Sequence, residues 1–221
     1  MAQAPPVDII MMLKQAGGGP AIDGESTSAI DKETGWTDDF TEGKYFEIED
    51  FSLGIDIEDN DSASSKPPVN DPKTGGTVIP PKTGKFTKWV QGIAASAGPG
   101  ELSKLYPVQM DPFSFTKQVD SASPTLFKNC FKTIPFDSAA IVMRKSSGIT
   151  NTKTGIGHIA FFRIDFTGVL LTSIDYDGGE VIKEKCKMVC RTVQVKYRAQ
   201  NNDGTAGKLS NSSKLDLKPA T

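Results

Sequence analysis

Few residues in this sequence have the types that catalysis needs. His158 is the only histidine among the 221 residues, so a Ser-His-Asp triad would have to include it, and a zinc site would have no second imidazole. It follows a Gly-Ile-Gly turn and begins an apolar stretch, which is typical of a turn-edge residue without a chemical role. Glu25 and Asp31 are a conceivable glycosidase pair, but such a pair is defined by a spatial separation that a sequence does not give. We therefore predict no catalytic residue and no enzyme activity.

Two loops contain ligand-type residues at spacings that do not fit a site. The acidic run from Asp56 could suggest calcium, yet the sixth and twelfth positions of an EF-hand loop, normally glycine and glutamate, are Asp61 and Pro67 here. A glycine-rich stretch near residue 84 could suggest a phosphate loop, but the required spacing of two glycines, a lysine and a hydroxyl residue is absent. A solvated acidic loop and ordinary turns explain both stretches. We predict no metal and no cofactor.

The composition is that of a globular protein without a charge-driven partner. With 25 basic and 27 acidic side chains the net charge is -2, which is too balanced for phosphate-driven binding of nucleic acid. The apolar run at residues 7–13 lacks a preceding Lys or Arg and is shorter than the roughly 20 residues of a membrane helix. We expect synthesis in the cytoplasm with neither a signal peptide nor membrane insertion. Cys130, Cys186 and Cys190 form no CxxC pair, which predicts reduced residues in the core.

The apolar pattern predicts a mainly β fold with one helix. Strands are indicated at residues 7–13, 44–57, 107–117, 138–144, 158–171 and 184–197. The helix follows Asp120, because Ser121 and Ser123 offer cap hydroxyls and Pro124 suits the first helical turn. A stripe at helical spacing is predicted to pack on the sheet. Its members are Leu126, Phe127, Cys130 and Phe131.

Two polar stretches interrupt this pattern, and in the last predicted strand the apolar residues switch from one set of alternate positions to the other. Residues 58–85 predict a long loop that buries little apolar surface, and residues 198–221 predict a loose tail. In the last predicted strand, apolar residues up to Cys190 lie on one face, whereas those from Val193 to Tyr197 have the opposite parity. We therefore predict a β-bulge near Arg191 that turns both sets toward the core of an antiparallel sandwich or barrel.

Three segments, taken in order, resemble the haemolysin-coregulated protein (Hcp) family. The first is the Ile-Asp-Gly-Glu-Ser run at residues 22–26, followed by the strand at 46–54. The second, residues 113–126, is similar to the family's strand, its Thr-Lys-x-x-Asp turn and its helix that begins Ser-Pro-x-Leu. The third is the strand at 184–197, with an Asp-Gly pair at 203–204. The residues that carry the resemblance are Gly24, Glu25, Ser26, Phe113, Phe115, Thr116, Lys117, Asp120, Ser123, Pro124 and Leu126.

This resemblance implies both a fold and an assembly. The fold is a β-barrel of two packed antiparallel sheets with one flanking α-helix and a long irregular loop. Residues 1–200 would form a single domain with an extended loop or insertion at 58–107, and residues 201–221 would be a polar C-terminal tail. Such proteins are subunits of the type VI secretion tube: homo-hexameric rings stack into a hollow tube that a contractile sheath expels with its spike. The lumen carries effector proteins, and the subunit is itself secreted without a signal peptide.

Two other functions are compatible with the same residues. A secreted β-sandwich binding module would use alternating strands and a long loop equally well, with Trp36 and Trp89 as an aromatic platform for a ligand. A phage-like tail-tube protein shares the assembly logic of the secretion tube. The binding module would be a monomer, whereas a tube protein of either kind would form a hexamer.

Overall fold

The chain is described by a computed structural model over residues 7–26, 28, 30–57, 69–70, 77–78, 108–147 and 157–217. It divides into two compact units, residues 1–53 with 112–221 and residues 54–111. Most of the long loop predicted at 58–85 lies outside the described residues. The domain boundaries predicted at 1–200, 58–107 and 201–221 stay predictions.

The described residues form thirteen strands and one α-helix. The helix, α1, is Ser123–Phe131. The strands are β1 Val7–Gln15, β2 Phe46–Glu47, β3 Asp50–Ser52, β4 Ile55–Ile57, β5 Val69–Asn70, β6 Thr77–Val78, β7 Val108–Met110, β8 Phe113–Gln118, β9 Phe136–Ser146, β10 His158–Asp177, β11 Lys183–Val189, β12 Thr192–Gln200 and β13 Ala206–Asp216. The predicted mainly β class, with antiparallel strands and one helix, is confirmed.

Nine of these strands form one antiparallel sheet in the first unit. Its order is β2-β1-β9-β10-β11-β8-β3, and β12 and β13 extend it from β10. Residues 162–167 of β10 pair with β12, whereas residues 170–177 pair with β11. The long strand β10 therefore belongs to two layers, the first with β2, β1, β9, β12 and β13 and the second with β11, β8 and β3.

A glycine allows β10 to change partners. Gly168 has a φ of 58° and lies between the residues that pair with β12 and those that pair with β11. A β carbon on this residue would approach the Arg191 side chain to 3.1 Å. Because glycine adopts positive φ without a steric penalty, the strand bends here at little cost.

Phenylalanine rings fill the space between the two layers. The rings of Phe113 in β8 and Phe166 in β10 lie 4.9 Å apart, and those of Phe51 in β3 and Phe162 in β10 lie 6.5 Å apart. Phe46 in β2 contacts Phe115 in β8 at 6.2 Å. Each pair joins a strand of the first layer to one of the second, so the apolar faces of the layers pack on each other.

Strand β1 is buried on both faces, which explains its continuous apolar run. Ile10 and Met12 pack with Trp36, Phe40 and Tyr45, aromatic residues of the segment before β2. Met11 and Leu13 alternate with them and are also buried. A segment at residues 30–45 thus covers the outer face of the first layer, a layer of packing that the sequence pattern did not predict.

The helix is in the predicted place but buries a different face. Ser123, Leu126 and Asn129 are its buried residues, whereas Phe127 is 54% exposed and Phe131 is 80% exposed. Of the predicted stripe, Leu126 is buried and Cys130 is half-buried, so the prediction that the stripe packs on the sheet was wrong for Phe127 and Phe131. No helix among the described residues has the length and apolarity needed to cross a membrane.

Two further predictions differ from the structure near the C-terminal end. In place of one strand with a bulge, the chain breaks between β11 and β12 at residues 190–191. Val193 is buried after the break, but Tyr197 is 47% exposed and does not join the core. The stretch predicted as a loose tail contains β13, which pairs along β12 from Thr192 with Asp216 to Gln200 with Ala206.

Candidate functional site

The turn between β8 and α1 holds most of the residues that carry the family resemblance. The Asp120 carboxylate accepts a hydrogen bond from the Ala122 N–H at 2.9 Å, and the Asp120 N–H donates to the Ser123 hydroxyl at 3.0 Å. The Ser123 hydroxyl thus closes the turn. The prediction that a serine hydroxyl caps α1 was wrong, because no side chain makes a cap hydrogen bond to this helix. Pro124 lies in the first turn of the helix. These reciprocal bonds fix the angle at which the strand enters the helix.

A buried lysine is the centre of this turn. Lys117 is fully buried, and its Nζ donates to Glu184 Oε1 at 2.8 Å, Asp120 Oδ1 at 2.7 Å, the Gln118 carbonyl at 2.6 Å and Ser123 Oγ at 3.2 Å. The Ser123 hydroxyl also donates to Glu184 Oε1 at 2.8 Å. A buried charge is tolerated only when it is paired and hydrogen-bonded, and this one is. The group, which we call the Lys117 clamp, joins β8, the turn, α1 and β11.

The clamp has the properties of a structural joint. The Lys117 Nζ is fully buried and surrounded by acceptors of the fold, so it does not face a substrate. Phe113, Phe115 and Leu126, the apolar residues of the same motif, are fully buried beside it. The Thr116 carbonyl accepts the Glu49 N–H at 2.8 Å, which connects the motif to the approach of β3.

The first family segment meets this turn. Gly24 lies so close to β2 that a β carbon would stand 2.2 Å from the Tyr45 carbonyl oxygen. Glu25 Oε1 accepts the Ser121 N–H at 3.1 Å, and the Ser26 hydroxyl donates to Glu47 Oε1 at 2.8 Å. The structure therefore brings together two segments that are 96 residues apart in sequence.

Where these segments meet, the surface has an acidic groove of about 330 Å³. Its lining residues are Glu25, Ser26, Glu47, Ile48, Glu49, Gln118, Val119 and Asp120. Two of its four acids are ion-paired, Glu49 with Lys183 at 2.6 Å and Asp120 with Lys117. The described residues contain no cluster of His, Cys, Asp and Glu suited to a metal ion.

Two arginines that sequence reasoning missed fasten the segment at 30–45. Arg163 contacts both carboxylate oxygens of Asp39 at 2.8 Å and donates to the Trp36 carbonyl at 2.5 Å. Arg198 makes a two-bond contact with Glu33 and stacks on the Trp36 ring at 4.3 Å. No local signal could have found these pairs, because their partners lie 124 to 165 residues away in sequence.

The charge of Arg163 is strongly favoured in this setting. Burial would lower the pKa of its guanidinium, but the contacts with Asp39 and Asp165 outweigh that effect and raise the pKa. Burial would likewise raise the pKa of Asp39, and the hydrogen bond and charge of Arg163 bring it below its ordinary value of 3.8. Both groups therefore remain ionised at neutral pH.

His158 lies in a shallow cavity of about 280 Å³ that Asp31 and Ser147 also line. The structure thus brings the three residue types of a triad to one cavity, and the chemistry of a triad would also need hydrogen bonds from the imidazole to both partners.

The three cysteines and Trp36 have ordinary structural positions. All three cysteines are free thiols, with Cys186 buried and the other two half-buried. Burial raises the pKa of Cys190 to about 11 and also raises that of Cys186, so both stay protonated at neutral pH. Trp36 is buried, so its predicted place on an exposed ligand platform was wrong. Trp89 lies outside the described residues.

Comparison with known proteins gives one family and a consistent fold. The family model described as "Type VI secretion system effector, Hcp" matches residues 87–202. A structure described as a type six secretion system protein is 18% identical, with a TM-score of 0.57 over 96% of both chains. Hcp1 of Salmonella typhimurium is 19% identical, with a TM-score of 0.52 over 95% of this chain and 94% of that one.

A variant of Hcp1 from E. coli EAEC 042 shows the same fold. It is 16% identical, with a TM-score of 0.54 over 97% of this chain and 99% of that one. Among curated protein sequences, none matches the chain. At these identities the solved structures show the shared fold, and the family model shows the family.

Proposed function

The chain belongs to the Hcp family and is a tube subunit of the type VI secretion system, and from this premise we propose that six copies close into a ring and that rings stack. The match of the family model to residues 87–202 is the observation that carries the proposal. A ring requires head-to-tail contacts whose rotation closes, and a tube requires contacts between ring faces.

The character of the described polar clusters supports a structural role. The Lys117 clamp and the two arginine pairs consist of charged groups that satisfy one another, and each joins elements that are distant in sequence. Such clusters fix the geometry of a subunit without presenting a reactive atom. We propose that the chain is not an enzyme and that its partners are copies of itself, a sheath, a spike and effectors in the lumen.

The proposed route out of the cell follows from the assembly. A folded tube subunit leaves when the sheath contracts, so its export depends on the machine and not on a cleaved signal. The protein is made in the cytoplasm and reaches the extracellular space as part of the expelled tube.

Size-exclusion chromatography with light scattering on the purified full chain tests the ring. The expected particle has six times the mass of one chain, and negative-stain images show rings with a central hole. A particle that stays monomeric at high concentration contradicts the proposal and favours the binding module. Export is tested by comparing culture medium from cells with and without a working sheath, and export that persists without the sheath contradicts the proposed route.

A further inference from the structure

The outer side of α1 exposes two aromatic rings that the fold does not use. Phe127 and Phe131 are 54% and 80% exposed, and they lie one helical turn apart on the same side of the helix. Tyr176 of β10, itself 47% exposed, contacts the Phe127 ring at 6.4 Å. An apolar surface of this kind on a helix commonly marks a contact with another molecule. We call Phe127 and Phe131 the aromatic ridge.

The charged side chains of α1 and of the residue that follows it have one sign. Lys128 and Lys132 follow the two phenylalanines in sequence, are exposed and form no ion pair with any described residue. The residues of α1 include no acid. The ridge therefore presents an apolar row beside a positive row, and it fits a surface that combines apolar and acidic groups.

The acidic groove has that composition. Val119, which is 42% exposed, contributes apolar surface to it, whereas Ile48 in its lining is only 5% exposed. Glu25 and Glu47 are exposed acids of the groove that form no ion pair with a described residue. Their described hydrogen bonds come from neutral donors, the Ser121 N–H and the Ser26 and Ser28 hydroxyls, so their charges match those of the two lysines beside the ridge.

Groove and ridge lie toward opposite ends of α1. Val119 and Asp120 of the groove immediately precede the first turn of the helix, whereas Phe131 is its last residue. A helix of 9 residues is about 13 Å long. A contact between the ridge of one copy and the groove of another therefore joins different surfaces, and this is the head-to-tail type of contact that can close into a ring.

We propose that the aromatic ridge of one copy docks in the acidic groove of the next copy. This inference rests on the proposed ring and names the contact that forms it. Phe127 and Phe131 pack against Val119 of the neighbour, and the lysines beside the ridge pair with the acids of the groove. The occupant of both surfaces is a second copy of this chain.

Two charge-reversed variants and their mixture test the contact. The ridge variant carries Lys128→Glu and Lys132→Glu, and the groove variant carries Glu25→Lys and Glu47→Lys. Each variant alone places like charges at every contact, so we expect monomers, with assembly weakened at least roughly tenfold. In an equimolar mixture the acidic ridge of one variant can dock in the basic groove of the other, and the two unchanged surfaces still match. Because six is an even number, a ring in which the two variants alternate can close. Native mass spectrometry should detect hexamers with equal numbers of both variants.

An aromatic substitution provides a matched control. Phe131→Glu removes the most exposed ring of the ridge and should give monomers, whereas Leu209→Glu changes a residue of β13 that is 54% exposed and should leave the ring intact. Circular dichroism melts should show that all variants are folded. Rings that survive in both charge variants, or folded variants that do not co-assemble, overturn the docking surface alone. A wild-type chain that never forms rings instead overturns the proposed function.

Discussion

At the scale of single residues, the burial of Lys117 decides how the family motif works. A lysine without exposed surface depends on its partners, because moving an ammonium out of water costs several kcal/mol. Glu184 and Asp120 supply the opposite charge, and Ser123 and the Gln118 carbonyl complete the hydrogen bonds. The motif therefore marks a joint between strand, turn and helix.

Replacing this lysine should destabilise the fold severely. Lys117→Met leaves the buried Glu184 carboxylate without its cation, so we expect the free energy of unfolding to fall by about 3–5 kcal/mol. Urea denaturation followed by circular dichroism measures the change. Lys183→Met is the matched control, because Lys183 contacts Glu49 at the surface and such pairs contribute little. An equal loss in both variants would contradict the role of the clamp.

Gly24 is constrained by space and not by backbone conformation. Gly24→Ala places a methyl group 2.2 Å from the Tyr45 carbonyl oxygen, so the segment must shift, at a cost of about 1–3 kcal/mol. Thermal and urea denaturation should show the loss. Gly178→Ala should have little effect, because nothing lies within 4 Å of the added carbon there. If the two variants are equally stable, the close approach at Gly24 is not a constraint.

At the scale of elements, charged groups hold the segment at 30–45 in place while its apolar side chains cover β1 and β9. Trp36, Phe40 and Tyr45 bury the outer face of β1 and β9, while Arg163 and Arg198 hold the segment at Asp39 and Glu33. The aromatic side chains supply the apolar burial, and the two-bond contacts between the arginines and the carboxylates fix the orientation of the segment.

The pairing of Asp39 should make this cover sensitive to acid. The folded-state pKa of Asp39 is lowered below 3.8, so its contribution to stability is complete above that value and disappears as pH falls through the folded-state pKa. Asp39→Asn should therefore destabilise the protein at neutral pH, and its difference from wild type should shrink in acid. Urea denaturation at several pH values measures this. A pH-independent effect of Asp39→Asn would contradict the argument.

The elements could be predicted from the sequence better than their faces could. Alternation and apolar runs located β1, β8, β9, β10 and α1, because these patterns follow local geometry. The sequence did not show which side of α1 is exposed. Helical spacing shows that Phe127 and Phe131 share a side, but it does not show that Ser123 and Asn129 are on the buried side. The partners of Arg163 and Arg198 were also missed, because they are set by tertiary packing and not by spacing.

At the scale of the whole molecule, the second unit is an insertion between two paired strands. The chain leaves the first unit after Leu53 and returns at Pro112, and Ser52 and Ser114 on either side are paired across β3 and β8. Within the second unit, β4 pairs with β7 from Ile55 with Met110 to Ile57 with Val108. The two points of attachment are therefore neighbours, and a short turn can join them.

Replacing residues 55–110 with a linker of about four Gly and Ser residues should separate ring formation from stacking. We expect the first unit to fold, because its sheet and its aromatic core lie within residues 1–53 and 112–221. The acidic groove and the aromatic ridge are both retained, so rings should form, whereas tubes should be lost if the replaced residues join successive rings. Light scattering counts the subunits, and electron microscopy at high concentration shows whether rings stack. Folded monomers would mean that the insertion also contributes to the ring, and tubes of normal length would mean that stacking uses the first unit alone.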